Sequence, residues 1–389
     1  MAPTIPLDGP QRFSLDVSGI AGFFGGEDSF NAAMSSVHLV RGRRWMGWYN
    51  SPGSFIAAKK YGVLAQSRVW DALFHGGTVV DLTKMLELDG KEGPRYLGVH
   101  SGTSIDKTGH LAYLLAKHCS ELLDNQIVGT ASPTDWDLTI VHLNDYPEDI
   151  NLSDGTLPPV HRSSFNPIGI VPILVSIGAA VICGVFGDWW SFSMIVTGIL
   201  ANGISCAVIG LGVLKVKGPT SSRHSPPGDG IFFASAGSRR VIVLKGSERI
   251  VSTLVAGQYF LHYKGQSHHD IGFCSVALTI QFLVQLFLMP QGRLFGQIMF
   301  LATFAVSWLY NAYLASVDRE GLQKHILVSA LLKDPTTWTI RVPRYTTLAV
   351  LAAMILQTAD TRPILDAFIP SNTKVWSLVK GTVAEAIKN

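Results

Sequence analysis

Two charge-free runs separated by five residues constrain this chain more than any other feature. They are Ile168–Phe186 (IGIVPILVSIGAAVICGVF, 19 residues) and Phe192–Leu214 (FSMIVTGILANGISCAVIGLGVL, 23 residues). At the helical rise of 1.5 Å per residue, 19 residues extend about 29 Å, close to the thickness of a bilayer's hydrocarbon core. The pair therefore reads as a transmembrane helical hairpin with GDWWS as its turn. A second pair, Ile271–Met289 and Leu294–Val317, is joined by PQGR and also contains no acid or base. Thr346–Gln357 covers only about 18 Å as a helix, a length more typical of buried or interfacial segments, with a short fifth span as the alternative.

The predicted fold class is an α-helical polytopic membrane protein: two transmembrane hairpins, four spans, a candidate short fifth, and a cytosolic mixed α/β N-terminal domain. Charged residues make up 15% of the chain, against roughly 25% in soluble domains. The net charge of +3 gives no argument for nucleic acid. Cys119, Cys183, Cys206 and Cys274 form no CxxC pair or disulfide framework, and three of them lie in or beside apolar runs, as buried free thiols do. The N-terminal MAPTIPLDGPQRFSLDVSG lacks the apolar core of a secretory signal, so the first hydrophobic helix is expected to direct insertion.

The expected organisation is a flexible arm (1–34), a cytosolic α/β domain (35–160), hairpin 1 (161–214), a basic cytosolic strand–helix–strand module (215–270), hairpin 2 (271–317) and a cytosolic tail (318–389) containing the apolar segment 346–357. Thr108–Asp124 carries apolar residues at helical spacing. Asp137–Leu143, Arg239–Lys245 and Gln258–Lys264 read as strands. Ser247 to Ala256 reads as a helix stopped by Gly257. Lys374–Lys388 is amphipathic, with Val375, Leu378, Val379 and Val383 suited to a membrane surface or to the soluble domain.

Lys and Arg counts set the expected orientation. The 215–270 segment has eight and 318–344 has five, whereas GDWWS has none and PQGR has only Arg293. By the positive-inside rule the N-terminus and both large connecting regions are cytosolic, in an endomembrane or the plasma membrane. Trp189 and Trp190 at one end, and Trp308 and Tyr313 at the other, are the expected interface anchors.

Chemistry is sparse. The spans contain no Asp, Glu, Lys, Arg or His, the residues that mark proton relays and ion-coupled pathways. Their candidate polar contacts are Asn202, Gln281, Gln285 and Gln297, as interhelical hydrogen bonds or a polar path. Gly198, Gly203, Gly210 and Gly212, with Ala180 and Gly184, predict close helix packing, expected against the second hairpin. Outside the spans there is no HExxH, Walker A or GxSxG pattern. GVHSG at Gly98–Gly102 sets Ser101 one position off a nucleophile elbow. His75-Gly76-Gly77 is a fragment of an oxyanion-loop pattern. Cys119 beside His118 is a nucleophile only if the fold supplies a base. His100, His110, His118 and His142 match no metal-site spacing. Arg41, Arg43 and Arg44 beside Trp45 and Trp48 read as a solvated basic turn, or as contacts to anionic headgroups. No catalytic residue, metal ligand or cofactor is assigned.

GDWWSFSMIVTGI, VLKGSERIVSTLVAG, LMPQGRLFGQIMF and VSWLYNAYLASVDRE resemble an uncharacterised family of multi-pass membrane proteins from mushroom-forming fungi. The resemblance covers roughly residues 165–330 and implies a eukaryotic membrane location but no activity, cofactor or site residue. The leading expectation is a non-catalytic membrane-anchored interaction or regulatory scaffold. Its partners would be the lipid bilayer and a cytosolic protein or a second copy of the chain. The rivals are an oligomeric channel or transporter with a polar path near Gln281, Gln285 and Gln297, and a membrane-tethered enzyme with its site among His100, His110, His118 and Asp137.

Overall fold

The computed structural model describes residues 27–40, 42–51, 54–64, 81–122, 127–129, 135–144, 167–219, 225–233, 238–263, 267–358 and 360–388. Most of the arm, Arg41, His75-Gly76-Gly77 and the 145–166 linker lie outside these residues. The chain begins with α1 (Glu27–Leu39), a 3-10 turn (Arg43–Met46), α2 (Ser54–Leu64) and α3 (Leu82–Met85). Then come β1 (Tyr96–Gly98), β2 (Ser104–Ile105), α4 (His110–Ser120), β3 (Ile127–Gly129) and β4 (Trp136–His142). The first long pair is α5 (Ile170–Val185) and α6 (Trp189–Ile209). It is followed by β5 (Val213–Lys217), β6 (Gly230–Phe232), β7 (Arg240–Lys245), α7 (Glu248–Ala256) and β8 (Gln258–His262). The second long pair is α8 (Ser267–Leu288) and α9 (Leu294–Ala315). The chain ends with α10 (Arg319–His325), a π-helical turn (Ile326–Leu331), β9 (Thr336–Val342), α11 (Tyr345–Leu356), α12 (Arg362–Phe368) and α13 (Lys374–Lys388).

These elements form two compact units, each assembled from three stretches of chain. The helical unit comprises Met1–Leu88, Pro159–Leu214 and Phe260–Arg319; the sheet unit comprises Asp89–Pro158, Lys215–Tyr259 and Glu320–Asn389. The boundaries differ from a 35–160 domain, a 215–270 module and a 318–389 tail. The reason is that α1 and α2 pack against the long helices, while strands from all three connecting regions share one sheet.

In the helical unit four helices are long and apolar enough to cross a membrane. Their most apolar 18-residue windows have mean hydropathy from 1.5 to 2.5, yet only 33–44% of each window is buried. The exposed remainder includes Leu174, Phe273, Phe287 and Leu309, each at least 60% exposed. So many exposed apolar side chains on these helices suit lipid better than water. The inner faces meet around Ala179, Ala180, Cys183, Met194, Ile195, Phe300 and Phe304. Unlike the four long helices, α1 and α2 are only 13 and 11 residues long. They flank a turn whose tip, Tyr49–Asn50, is buried among the four long helices.

The sheet unit is built on seven strands in the order β2-β1-β6-β7-β4-β9-β3. β4 runs parallel to β7, β3 runs parallel to β9, and the other neighbours are antiparallel. The expected strand at 239–245 is therefore the partner of β4 and not part of a self-contained module. β8 pairs instead with β5 in a separate two-stranded sheet. Period-two alternation sorts the side chains. Leu138, Val241, Val243 and Val342 face a layer made by α11 and α12. The 12-residue α11 is that layer's centre: Leu348, Ala349, Ala352, Ala353 and Leu356 are all buried against the sheet cluster. Its small alanines let it approach the sheet closely. Segment 346–357 is thus a core helix, which removes the fifth span. Val383 of α13 packs on the same cluster, while Val375, Leu378 and Val379 stay exposed.

Candidate functional site

Buried polar groups from α5, α8 and α9 gather around a residue outside the expected site set, Asn50. Its backbone N–H donates to Ser176 Oγ of α5 at 3.1 Å. Its Nδ2 donates to Thr303 Oγ1 of α9 at 3.0 Å. Its Oδ1 accepts from Gln285 Nε2 of α8 at 3.1 Å, and its carbonyl accepts from Ser307 Oγ at 2.7 Å. Helix α6 contributes an absence of side chain: a Cβ on Gly198 would lie 1.9 Å from Asn50 Oδ1. Gln281 Nε2 donates to Gln285 Oε1 at 3.3 Å, and Gln285 Nε2 also reaches the Met194 carbonyl at 3.1 Å. Thr303 Oγ1 passes the chain on to the Phe300 carbonyl at 2.6 Å. The network runs from amide to amide to hydroxyl and ends on backbone, with no titratable member. Buried amides and hydroxyls need such partners where water is absent.

The expected polar residues therefore separate into three places. Gln281 and Gln285 belong to the Asn50 centre. Asn202 Nδ2 donates to the carbonyls of Gly47 (2.7 Å) and Tyr49 (3.2 Å), holding the turn that presents Asn50. Gln297 Nε2 instead braces the PQGR turn through the carbonyls of Gly292 (3.0 Å) and Pro290 (3.4 Å). Among the described residues no hydrogen bond links Gln297 to Gln281 or Gln285.

The glycines in and just after α6 make room chiefly for the N-terminal turn, not for the second hairpin. A Cβ on Gly203 would lie 2.3 Å from the Trp48 ring, and one on Gly210 would lie 2.4 Å from Arg44 Cβ. Gly212 differs in facing Tyr263 at 2.6 Å. Nor is Arg43 solvated: it is 7% exposed and lies over the Tyr310 ring at 5.1 Å. Arg44 stacks over Trp45 at 5.0 Å. Tyr49 meets Tyr310 edge-on and donates to Asn311 Oδ1 at 2.9 Å.

At the opposite end of the unit, Asp188 joins the two tight turns. It caps α6 by accepting from Ser191 N (3.2 Å) and Ser191 Oγ (2.9 Å), and it accepts from Arg293 N of the other turn at 3.0 Å. A Cβ on Gly296 would lie 2.0 Å from Asp188 Oδ2, so only glycine fits there. Asp188 is 2% exposed, whereas the neighbouring Trp189 and Trp190 are 65% and 50% exposed. Tyr313, the anchor expected at the other end, is 38% exposed.

In the sheet unit the histidines do not converge. His110 Nε2 is 3.2 Å from Gln323 Oε1 in a buried site that lowers its pKa. His118 is also lowered, chiefly by burial and then by Lys324. His100 Nε2 lies 3.8 Å from Asp229, and His142 packs edge-on against Trp338. Among the described residues no three His, Cys, Asp or Glu side chains gather where they could hold a metal. Burial pushes the Cys119 thiol up to about 12, leaving a neutral core group rather than a thiolate nucleophile. Asp137 joins an ion triad: it accepts from Arg240 Nη2 at 2.9 Å and Arg341 Nε at 2.8 Å. Strand register sets this triad, because Asp137 is the direct partner of both arginines. Burial alone would raise the carboxyl's pKa, but the two guanidiniums outweigh it and lower it.

Asn50 and Asp188 are the two organising residues that sequence reasoning did not select. A signal for Asn50 was present: the glycines along α6 required a close partner, and WMGWYN is rich in aromatics. No protein-family model, curated protein or solved structure matches this chain.

Proposed function

We propose that the protein is an integral membrane anchor for one α/β interaction domain. The domain lies on the cytosolic face of an endomembrane or the plasma membrane and binds a cytosolic protein or a second copy of the chain. The observation that carries this reading is the hydrogen-bonded polar centre. Asn50 bonds to Ser176, Gln285, Thr303 and Ser307, and Phe300 and Phe304 pack into the adjoining apolar core. An interior of this kind serves holding better than passage. The one-sheet construction adds support. A hairpin returns the chain to the side it left, so two hairpins keep all three sheet-forming segments together.

One specific feature favours the rival reading of transport. Non-helical backbone at Gly47–Ser51 is buried among the long helices, and irregular backbone at that depth occurs where protein buries it or where it lines a cavity. Flux across sealed proteoliposomes separates the two readings. The anchor predicts ion and small-solute leak no greater than in protein-free liposomes. A flux present with the intact chain and abolished by Gln285→Leu would replace the anchor by a conduit.

A further inference from the structure

A cleft of about 330 Å³ opens in the sheet unit between α4 and β7, at the small end of the range for ligand sites. Tyr113, Lys117 and Ser120 of α4 face Ser238 and Arg240 across it, and Pro94, Phe233 and Ile242 supply apolar lining. The charges about it do not cancel. Glu320 is shared between Lys117, at 2.7 Å, and Lys91. Asp137 is shared between Arg240 and Arg341. Glu92, the acid in the lining, pairs with Lys107 at 2.8 Å, and Arg95, over the Phe233 ring at 5.3 Å, reaches Asp106 at 3.5 Å. In these pairs of described residues, four carboxylates meet six cations.

The two cations in the wall are differently held. Arg240 is fixed by Asp137 and by the Cys119 carbonyl, with only 16% of its side chain exposed. Its charge is therefore placed before any ligand arrives, which reduces the ordering cost of binding. Lys117 Nζ has three donors, one directed at Glu320, and its side chain is 30% exposed.

We propose that this cleft binds a small dianion on an apolar body, a phosphate monoester in kind. The anion meets Lys117 and the field of Arg240, and the apolar part lies on Pro94, Phe233 and Ile242. The site stands whether the long helices anchor or conduct.

The test uses the full chain in phosphatidylcholine nanodiscs, titrated calorimetrically with phenyl phosphate. Saturable binding is expected, with phenol at least tenfold weaker. Lys117→Glu should weaken binding at least tenfold and Ala116→Trp should block it. Lys374→Glu on α13, an exposed control on the other side of the sheet, should leave it unchanged. Repeating the titration in discs that also contain phosphatidate identifies the source. Weakened phenyl phosphate binding means that a lipid headgroup competes for the site, and unchanged binding means a soluble ester; either result keeps the proposal. It is overturned if phenyl phosphate does not saturate or phenol binds as tightly. It is equally overturned if Lys117→Glu and Ala116→Trp, with unchanged thermal midpoints, bind like the parent.

Discussion

The centre of the helical unit and the sheet unit bury polar groups by different chemistry. At the centre of the helical unit the buried groups are neutral: Asn50, Ser176, Gln281, Gln285, Thr303 and Ser307. In the sheet unit the organising polar groups are charged and paired: Asp137 with two arginines, Glu320 with two lysines, Lys380 with Asp366 at 2.6 Å. Surroundings account for the difference. An ion deep among apolar helices has neither water nor mobile counter-charge, so amides and hydroxyls take that role at a much smaller desolvation cost. On β4, an interior strand of the sheet, the Asp137 carboxylate between two guanidiniums is 15% exposed and keeps part of its hydration.

Gly198→Leu should break the helical side of this contrast most severely. Its Cβ alone would sit 1.9 Å from Asn50 Oδ1 and 2.8 Å from Gln285 Nε2, and overpacking of this kind costs about 3 kcal/mol. Denaturant unfolding in detergent micelles should show that loss, and a parental midpoint would contradict the packing described. Asn50→Leu comes next, at about 2–3 kcal/mol, because it removes the Asn50 side chain that Gln285 and Thr303 bond to. Combining it with Gln285→Leu should cost less than the two separate losses together; strict additivity would mean that the two amides do not interact.

Asp137→Asn probes the sheet side and should cost about 2 kcal/mol at pH 7, less than a fully buried ion pair. The sign with pH follows from the lowered folded pKa. The unfolded carboxyl titrates near about 3.9, so the Asp137 contribution is fully present above that range. It disappears as pH falls through the lower folded value. Thermal midpoints of parent and variant should therefore converge in acid, and a gap that widens in acid would reverse the assignment. The smallest effect belongs to Gly178→Ala, where nothing lies within 4 Å of the added Cβ. Its unfolding free energy should change by no more than about 1 kcal/mol, the helix-propensity difference.

The two units were also unequally legible in the sequence. Length and absence of charge identify a long apolar helix locally, and α5, α6, α8 and α9 fall where hydropathy puts them. Strands β4 and β7 and helices α4 and α7 were likewise readable from period and caps. Which strands share a sheet was not, because β4 and β7 are separated in the chain by an entire hairpin and β9 by two. Helix α11 was ambiguous for a related reason: twelve apolar residues look the same facing lipid or facing Leu138 and Val241. Asn50 was obscured by Arg41, Arg43 and Arg44, whose charges suggested solvent. In the structure Arg43 lies over Tyr310 instead.

The central claim is that two hairpins return the chain twice to one domain built from three segments. Membrane-impermeant maleimide labelling in sealed, oriented vesicles tests it most directly, since the native Cys119, Cys183, Cys206 and Cys274 are all buried. Thr103→Cys, Ser238→Cys and Ser377→Cys place an exposed thiol in each of the three sheet-forming segments, and Gln291→Cys places one in the PQGR turn. The account predicts that the first three label from one and the same side and Gln291→Cys only from the other. Labelling of any one of the three from the side that labels Gln291→Cys would contradict it.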